Sequence, residues 1–442
     1  MAAKSFKVVI VGGGPVGLIA AHALYKAGME FTVLERSRQI ALDVGASLVL
    51  APSSLRVFHQ LGLLDQLQDL YAEVNHKKCF TPDGHQFKDN PDVFGESKKN
   101  HGGIPSAFHR AELVQSLYDQ LPEELKHKVL TDKKLTDIQS DENGVKVFCE
   151  DGSVYEGDMV LGADGVNSKT RQIMRKLALQ ANPNTEWDPE LPYTSTYRCM
   201  WASFPRPTAS GEGYETQSKD KSIMYLSGKD RAWIFLYEKL PEPTKERSFY
   251  TDEDVQAMAG RFADFHLDET MTVKDVFAER MTSGMSDLQE GICNNWGWGR
   301  IALAGDSIHK ACPNAGLGYQ NGIQDVVSLV NHLRELVASS GPSKRPDVSS
   351  LEKMYESYKN ERWAPLGRDA AVSASVTRIH AWANIWYYLV ARFLLVPNFM
   401  DNIHANWLVG PAASAALAFN FLDAEEPFSG RVAWAHPLKN VY

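Results

Sequence analysis

No two of the five cysteines, Cys79, Cys149, Cys199, Cys293 and Cys312, stand close enough for a CxxC redox pair or a metal knuckle, and their number is odd. The pattern reads as free thiols in a reducing compartment, not as a disulfide scaffold or a metal site. A basic excess is also missing: the net charge of -9 speaks against nucleic acid as a main partner. The chain has no internal repeat and no low-complexity segment. Met1 to Lys7 is short and mixed, and the apolar run after it breaks at once into glycines, so the start does not read as a secretory signal. Nor is there an apolar stretch of the ~20 residues that a spanning helix needs. Ala381 to Val396 and Trp407 to Leu422 come nearest, both are shorter, and Asn384 and Arg392 interrupt the first. They fit two helices packed within the protein or a dimer, and lying in or crossing a membrane stays open as the second reading. The expectation is a cytoplasmic protein, with membrane association through this region as the alternative.

What is present is the composition of a folded globular chain, 44% hydrophobic and 23% charged. Its 442 residues exceed one ordinary core and imply two domains with a C-terminal appendage. Phe6 to Val11 reads as a buried strand, Val16 to Lys26 as a helix ending near Gly28, and Glu30 to Leu34 as a second strand, together a βαβ unit. Helices are expected at Pro52 to Leu61, Ala111 to Leu121 and Gly322 to Leu336. Hairpin strands are expected between Val129 and Gly157, and buried strands at Asp158 to Gly162 and Arg300 to Ala304. Thr196 to Phe204, Ser222 to Ser227 and Ala232 to Tyr237 alternate as strands without a glycine fingerprint and mark a separate β-rich domain. The expected layout is a nucleotide-binding domain in three parts (1–76, 105–180, 286–355), an excursion at 77–104, the β-rich domain at 181–285 and a helical region at 356–442.

Three segments carry chemistry. In Gly12-Gly13-Gly14-Pro15-Val16-Gly17, Gly12 suits a tight turn, Gly14 lets a diphosphate approach the backbone and Gly17 lets helix pack on strand. Glu35, at the end of the second strand, is the acid that accepts hydrogen bonds from a ribose hydroxyl. A glycine turn kept for packing alone would not explain that acid. In the second segment a strand runs into Asp164-Gly165, with Asn167, Ser168 and Arg171 following; alone, this is equally a strand end and an N-capped helix. In the third, a buried strand delivers Asp306, suited to a sugar or ribityl hydroxyl, and then a loop containing Gly316 and Gly318 leads into a helix. His309 in that loop reads as a structural histidine bonding the loop backbone, with a general base as the lesser alternative.

In this order and spacing the three motifs resemble the class A flavoprotein monooxygenases, the group that includes para-hydroxybenzoate hydroxylase and the phenol hydroxylases. The resemblance covers roughly Phe6 to Val330. It implies an α/β fold: a Rossmann-type FAD-binding domain of the para-hydroxybenzoate hydroxylase (GR2-like) kind, an inserted β-rich substrate domain and a C-terminal helical region. It makes Asp164-Gly165 a fingerprint shared between FAD and NAD(P)H, and Gly305-Asp306 the fingerprint for the FAD ribityl chain. The third motif, His109-Arg110 and the apolar C-terminus are most similar to the fungal branch acting on indole diterpenes, meroterpenoids and prenylated alkaloids. Carried over from the family, Arg110 contacts the flavin, and Val49 does so from the loop after Gly45-Ala46-Ser47. Arg198 matches an arginine that some fungal relatives use over the flavin, and Tyr237 a tyrosine that can hydrogen-bond substrate; these two are the expected catalytic residues, with a solvated strand-end arginine and a cross-strand aromatic as the equal alternatives. Tyr319 and Gln320 depart from the branch, which has a small residue and Asn there, and Tyr319 is bulky beside the expected flavin edge.

The function implied is hydroxylation or epoxidation of a hydrophobic small molecule with O2, in fungal-type secondary metabolism. A second glycine fingerprint is missing, which fits NAD(P)H as a transient reductant. In this family reduced flavin and O2 give a C4a-hydroperoxide whose distal oxygen is electrophilic, and the protein excludes water and aims the substrate. A flavin reductase or dehydrogenase on the same fold, acting on a prenyl-type substrate, is the competing reading. A non-catalytic binder of a lipidated or prenylated partner would have little reason to keep both Asp164-Gly165 and Gly305-Asp306.

Overall fold

The computed structural model describes residues 5–43, 45–341 and 345–438. The apolar run Lys7–Val11 forms strand β1, Pro15–Lys26 helix α1 and Glu30–Leu34 strand β2. β1 lies between β2 and the Met159–Gly162 strand, both parallel to it. The Ile301–Leu303 strand continues the sheet in parallel beside Met159–Gly162, and Val129–Leu130 does so beside β2. All these strands are buried on both sides, which is why they read as unbroken Val, Ile and Leu. Their shared direction brings the residues that follow β1, β2, Met159–Gly162 and Ile301–Leu303 to one edge, outside the carboxyl ends of the strands. Gly12, Glu35, Asp164 and Asp306 are those residues, and the Gly318–Ser340 helix packs against α1 beside them.

The second sheet has eight strands. Their order is His309–Lys310, Thr282–Ile292, Thr194–Pro205, Arg231–Thr244, Lys221–Ser227, Glu212–Ser218, His76–Phe80 and Gln86–Asn90. The stretch expected as an excursion at 77–104 thus supplies two edge strands to this sheet. Side chains alternate along each strand. Met200, Ala202, Phe204, Ile234 and Leu236 form a core with Val255, Met258 and Phe262 of the Asp252–Phe262 helix. Tyr197, Cys199, Trp233, Phe235 and Tyr237 point to the opposite face, where Cys312, Ala381 and the partly buried Ala46 meet them.

The C-terminal third differs from expectation. Val348–His380 is one 33-residue helix that carries Pro365 inside it, so the domain break expected at 355 falls within a continuous element. The two expected core helices are instead helical runs at 385–394 and 398–414: Ile385–Leu389 closing in a π-turn at Val390–Leu394, and Asn398–His404 and Gly410–Ser414 on either side of a π-turn at Ala405–Val409. Asn384 starts the first piece by accepting from the N–H groups of Trp386 and Tyr387. Trp386 and Trp407 are 73% and 77% exposed, so these pieces are not the buried helices their composition suggested. Among the described residues no helix is long and apolar enough to cross a membrane. The chain then returns to the first domain, where the buried Arg56 guanidinium lies 4.0 Å over the Trp434 ring and pairs with Glu426.

Candidate active site

The glycine turn is built by close contacts that side chains would destroy. Gly12 has φ +109°, and a Cβ there would lie 2.4 Å from the Ala163 carbonyl oxygen. A Cβ on Gly17 would lie 1.9 Å from the Gly12 oxygen, so α1 can meet β1 only through glycine. Gly14 is different: it has extended backbone angles and nothing within 4 Å of its Cβ position. The space in front of it is open toward the start of α1, whose first N–H groups favour an anion. Glu35 stands across that space; its carboxylate accepts from the Gly13 N–H at 2.7 Å and the Ser37 N–H at 2.8 Å, leaving lone pairs for sugar hydroxyls.

Asp164 is used internally. Its carboxylate accepts from Ser168 Oγ and from the Thr170 N–H (2.9 Å), folding the turn before the Lys169–Ala181 helix, which Ser168 caps. The N-cap reading of this motif therefore describes its contacts within the chain. Arg171, which the sequence motif contains but which was not singled out as a site residue, donates to the Ser307 carbonyl at 2.7 Å and the Val166 carbonyl at 2.8 Å. It ties the second motif to the third. In the third, Asp306 is half-exposed and paired with Lys310. His309 is buried and bonds Asp325 at 2.6 Å, not the loop backbone. Asp325 also accepts from the Gly305 N–H and from Arg362. Burial alone would raise the Asp325 carboxyl, but His309, Arg362 and the Gly305 N–H hold it below its ordinary value. Asp325 among Ile323, Val326 and Val327 on an amphipathic helix was the available signal for its burial.

Arg110 is half-buried, and among the described residues its guanidinium has no ion-pair partner. Its side chain passes Gly45, where a Cβ would come within 2.9 Å of Arg110 Cδ. Burial pushes it below its ordinary value, with Asp306 and Glu35 as the nearby opposing charges. An uncompensated cation between two sugar-type acceptors is what a bound diphosphate would complete. Val49 faces Gly316, which has φ +66° and would place a Cβ 3.5 Å from Val49 Cβ. Gly318 opens the long helix with free space around its Cβ position. Tyr319 packs into the first core, its hydroxyl 3.4 Å from the Pro15 carbonyl. Gln320 accepts from the Ala51 N–H at 3.3 Å and donates to the Gly316 carbonyl at 3.0 Å. The two departures from the family pattern thus brace α1 and the Pro52–Leu61 helix.

The two residues expected to be catalytic fall on opposite faces of the eight-stranded sheet. Tyr237 is fully buried on the face toward Cys312 and Ala46, and among the described residues its hydroxyl has no hydrogen-bond partner. Arg198 stands by its register on the helix-covered face, opposite Glu238, with which it forms an ion pair that Arg261 shares at 2.8 Å. An even-numbered residue on that strand cannot point where Tyr197, Cys199 and Trp201 point.

An open Gly14, an acid at the end of β2, an unpaired arginine and Asp306 after a third strand suit a cofactor with a diphosphate and sugar-type hydroxyls, and the residues present fit FAD. A family model for an FAD binding domain matches residues 5–352. The chain is 31% identical over 441 residues to the FAD-dependent monooxygenase DEP2 of Alternaria brassicicola, covering 98% of this chain and 82% of that one. It is 31% identical to the FAD-dependent monooxygenase esdpE of Penicillium shearii, covering 97% and 92%. Among solved structures, Klebsiella pneumoniae HpxO complexed with FAD and uric acid matches with TM-score 0.70 at 18% identity, covering 92% of this chain and 97% of that one. A salicylate hydroxylase substrate complex matches with TM-score 0.67 at 17% identity, covering 93% and 98%. The chain belongs to the class A FAD-dependent monooxygenases, in the branch that includes these fungal enzymes, and FAD is its cofactor.

Proposed function

We propose that this protein uses NAD(P)H and O2 to hydroxylate or epoxidise a hydrophobic small molecule in a fungal-type secondary pathway. The observation that carries this reading is the aromatic face of the eight-stranded sheet, Trp233, Phe235 and Tyr237, turned toward the loops that bear Ala46 and Cys312. A largely apolar wall with a few polar groups is what binds and orients an apolar substrate. Gly12, Gly14, Gly17 and Glu35 take the adenosine diphosphate half of FAD, Arg110 its charge, and Asp306 the ribityl chain. Val49, Gly316, Gly318 and Tyr319 shape the flavin end, Asp164 holds the turn beside it, and Tyr237 orients substrate. When bound, the flavin supplies the redox chemistry with NAD(P)H and O2. The protein contributes position and the exclusion of water.

The test is turnover of the FAD-loaded protein under 18O2, with NADH or NADPH and a panel of hydrophobic substrates. One labelled oxygen atom per product molecule, with nucleotide oxidation accelerated by that substrate, is the expected outcome. A product that has gained hydride and no label would refute it in favour of a reductase.

A further inference from the structure

One face of the eight-stranded sheet carries buried polar atoms that have no hydrogen-bond partner among the described residues. Tyr197 and Trp201 project from the Thr194–Pro205 strand, Trp233 and Tyr237 from Arg231–Thr244, and Ser222 from Lys221–Ser227. The register puts them side by side: Tyr237 lies opposite Cys199 on one neighbour and opposite Ser222 on the other. The hydroxyls of Tyr197, Tyr237 and Ser222 and the indole nitrogens of Trp201 and Trp233 are buried without a hydrogen-bond partner. Asn314 Nδ2, in the loop that follows Cys312, is in the same state. The helix-covered face behaves differently. There Arg198, Glu238 and Arg261 pair, the Thr216 hydroxyl donates to the His266 carbonyl, and Tyr225 bonds Thr208.

Buried polar atoms in folded proteins are paired with few exceptions, so a group of orphans on one face marks where something from outside completes them. Their chemistry is one-sided. Indole and amide N–H groups only donate, and hydroxyls can donate. Burial pushes the Tyr197 hydroxyl up to about 12 and the Tyr237 hydroxyl well above its ordinary value, so both keep their protons. The interleaved Cys199, Met224 and Phe235 offer no strong acceptor. Three cations bordering this face are already matched: Lys77 with Glu215 at 3.0 Å, Arg231 with Asp43 at 3.1 Å and Arg378 with Glu290 at 3.1 Å.

We infer that the substrate is a neutral, largely apolar molecule that presents carbonyl or ether oxygens to this face, and is neither a plain hydrocarbon nor a carboxylate. The inference rests on the proposed function, which gives this face to the substrate. A hydrocarbon would leave the donors unpaired. A carboxylate would be desolvated beside cations, Lys77, Arg231 and Arg378, that already have partners.

Three probes of one skeleton separate these cases: 2-acetylnaphthalene, 2-ethylnaphthalene and 2-naphthoate, each titrated calorimetrically into the FAD-loaded protein. The ketone is expected to bind about tenfold tighter than either of the others, the gain from one completed hydrogen bond. Tyr237→Phe and Trp201→Phe should each reduce the preference for ketone over hydrocarbon while leaving the Kd of 2-ethylnaphthalene unchanged. The inference is overturned if the ketone does not bind, if the hydrocarbon or carboxylate binds as tightly, or if neither substitution alters the preference. Because binding is read without turnover, the two readings fail separately. A ketone preference without oxygenated product removes the oxygenase reading alone, and oxygenation with the hydrocarbon preferred removes this one alone.

Discussion

Gly14 and Gly17 lie three residues apart in the same turn, and the structure gives opposite reasons for each. Alanine at Gly17 puts a methyl 1.9 Å from the Gly12 carbonyl oxygen, a backbone atom fixed by β1, so relief requires α1 to move off the sheet. Overpacking of this kind costs about 1–3 kcal/mol, occasionally more, and contact with rigid backbone argues for the upper end. Alanine at Gly14 meets no atom within 4 Å and needs only φ -72° and ψ -177°, which any residue adopts. Two small terms then oppose each other. Losing glycine from the N-cap position costs some tenths to about 1 kcal/mol, while the stiffer unfolded chain returns about 0.4–1 kcal/mol. The net effect on the apoprotein is near zero. The methyl instead stands where a diphosphate approaches the backbone, and similar overpacking there costs about 1–3 kcal/mol, roughly 5- to 150-fold in Kd. The assay is thermal unfolding of both apoproteins beside FAD titration. Gly17→Ala should lower Tm without ligand; Gly14→Ala should keep Tm and lose FAD affinity. Wild-type FAD affinity in Gly14→Ala, or an equal loss of apoprotein Tm in the two variants, would refute the division of labour.

Asp306→Ala should leave the fold intact and weaken FAD retention by about 1–3 kcal/mol, the cost of a lost bond to a charged group, read as the flavin-to-protein ratio after gel filtration. Arg198→Ala should keep product formation per bound FAD within about twofold, because its partner Glu238 belongs to the helix-covered face; a loss of tenfold or more would return it to the chemistry. Glu215 is buried, yet His380 and Lys77 outweigh burial and bring its carboxyl down to about 2. A folded value below the unfolded one, near 4.3, means stability that is present above pH ~4.3 and lost as pH falls toward 2. Acid unfolding followed by circular dichroism should therefore lose part of its pH dependence in that window in Glu215→Gln, and an unchanged profile would count against the assigned ion pairs.

The cofactor side of the fold was legible because its constraints are local. Gly17 and Glu35 are fixed by contacts within one βαβ unit, Gly12 by the turn after β1 packing on Ala163, and parallel strands must deliver whatever follows them to the same edge. Asp306 was legible for the same reason, as the residue following a buried strand. Asp164 was read in two ways, and its internal hydrogen bonds follow from an Asp, a Ser and a Thr at short spacing, a local fact that only coordinates could rank above ligand contact.

What failed to read through was set by distant partners. Nothing near Ile323 or Val327 tells that Asp325 will meet His309 and Arg362, because that hub joins two helices and a loop far apart in the chain. The apolar composition of residues 381–422 matched that of a core, but a cap at Asn384 and a proline at Pro397 divide it into two runs that leave Trp386 and Trp407 exposed. Arg198 and Tyr237 show the sharpest case. Both lie on strands read correctly in the sequence, and alternation fixes which residues of one strand share a face. Which of the two faces meets the cofactor depends on where the Asp252–Phe262 helix docks, after a crossing of the whole sheet. Parity then decides together: if Tyr237 faces the flavin, Cys199 opposite it does too, and Arg198 next to Cys199 does not. The expected pair of catalytic residues was therefore inconsistent on register alone, once the antiparallel pairing of the two strands is known.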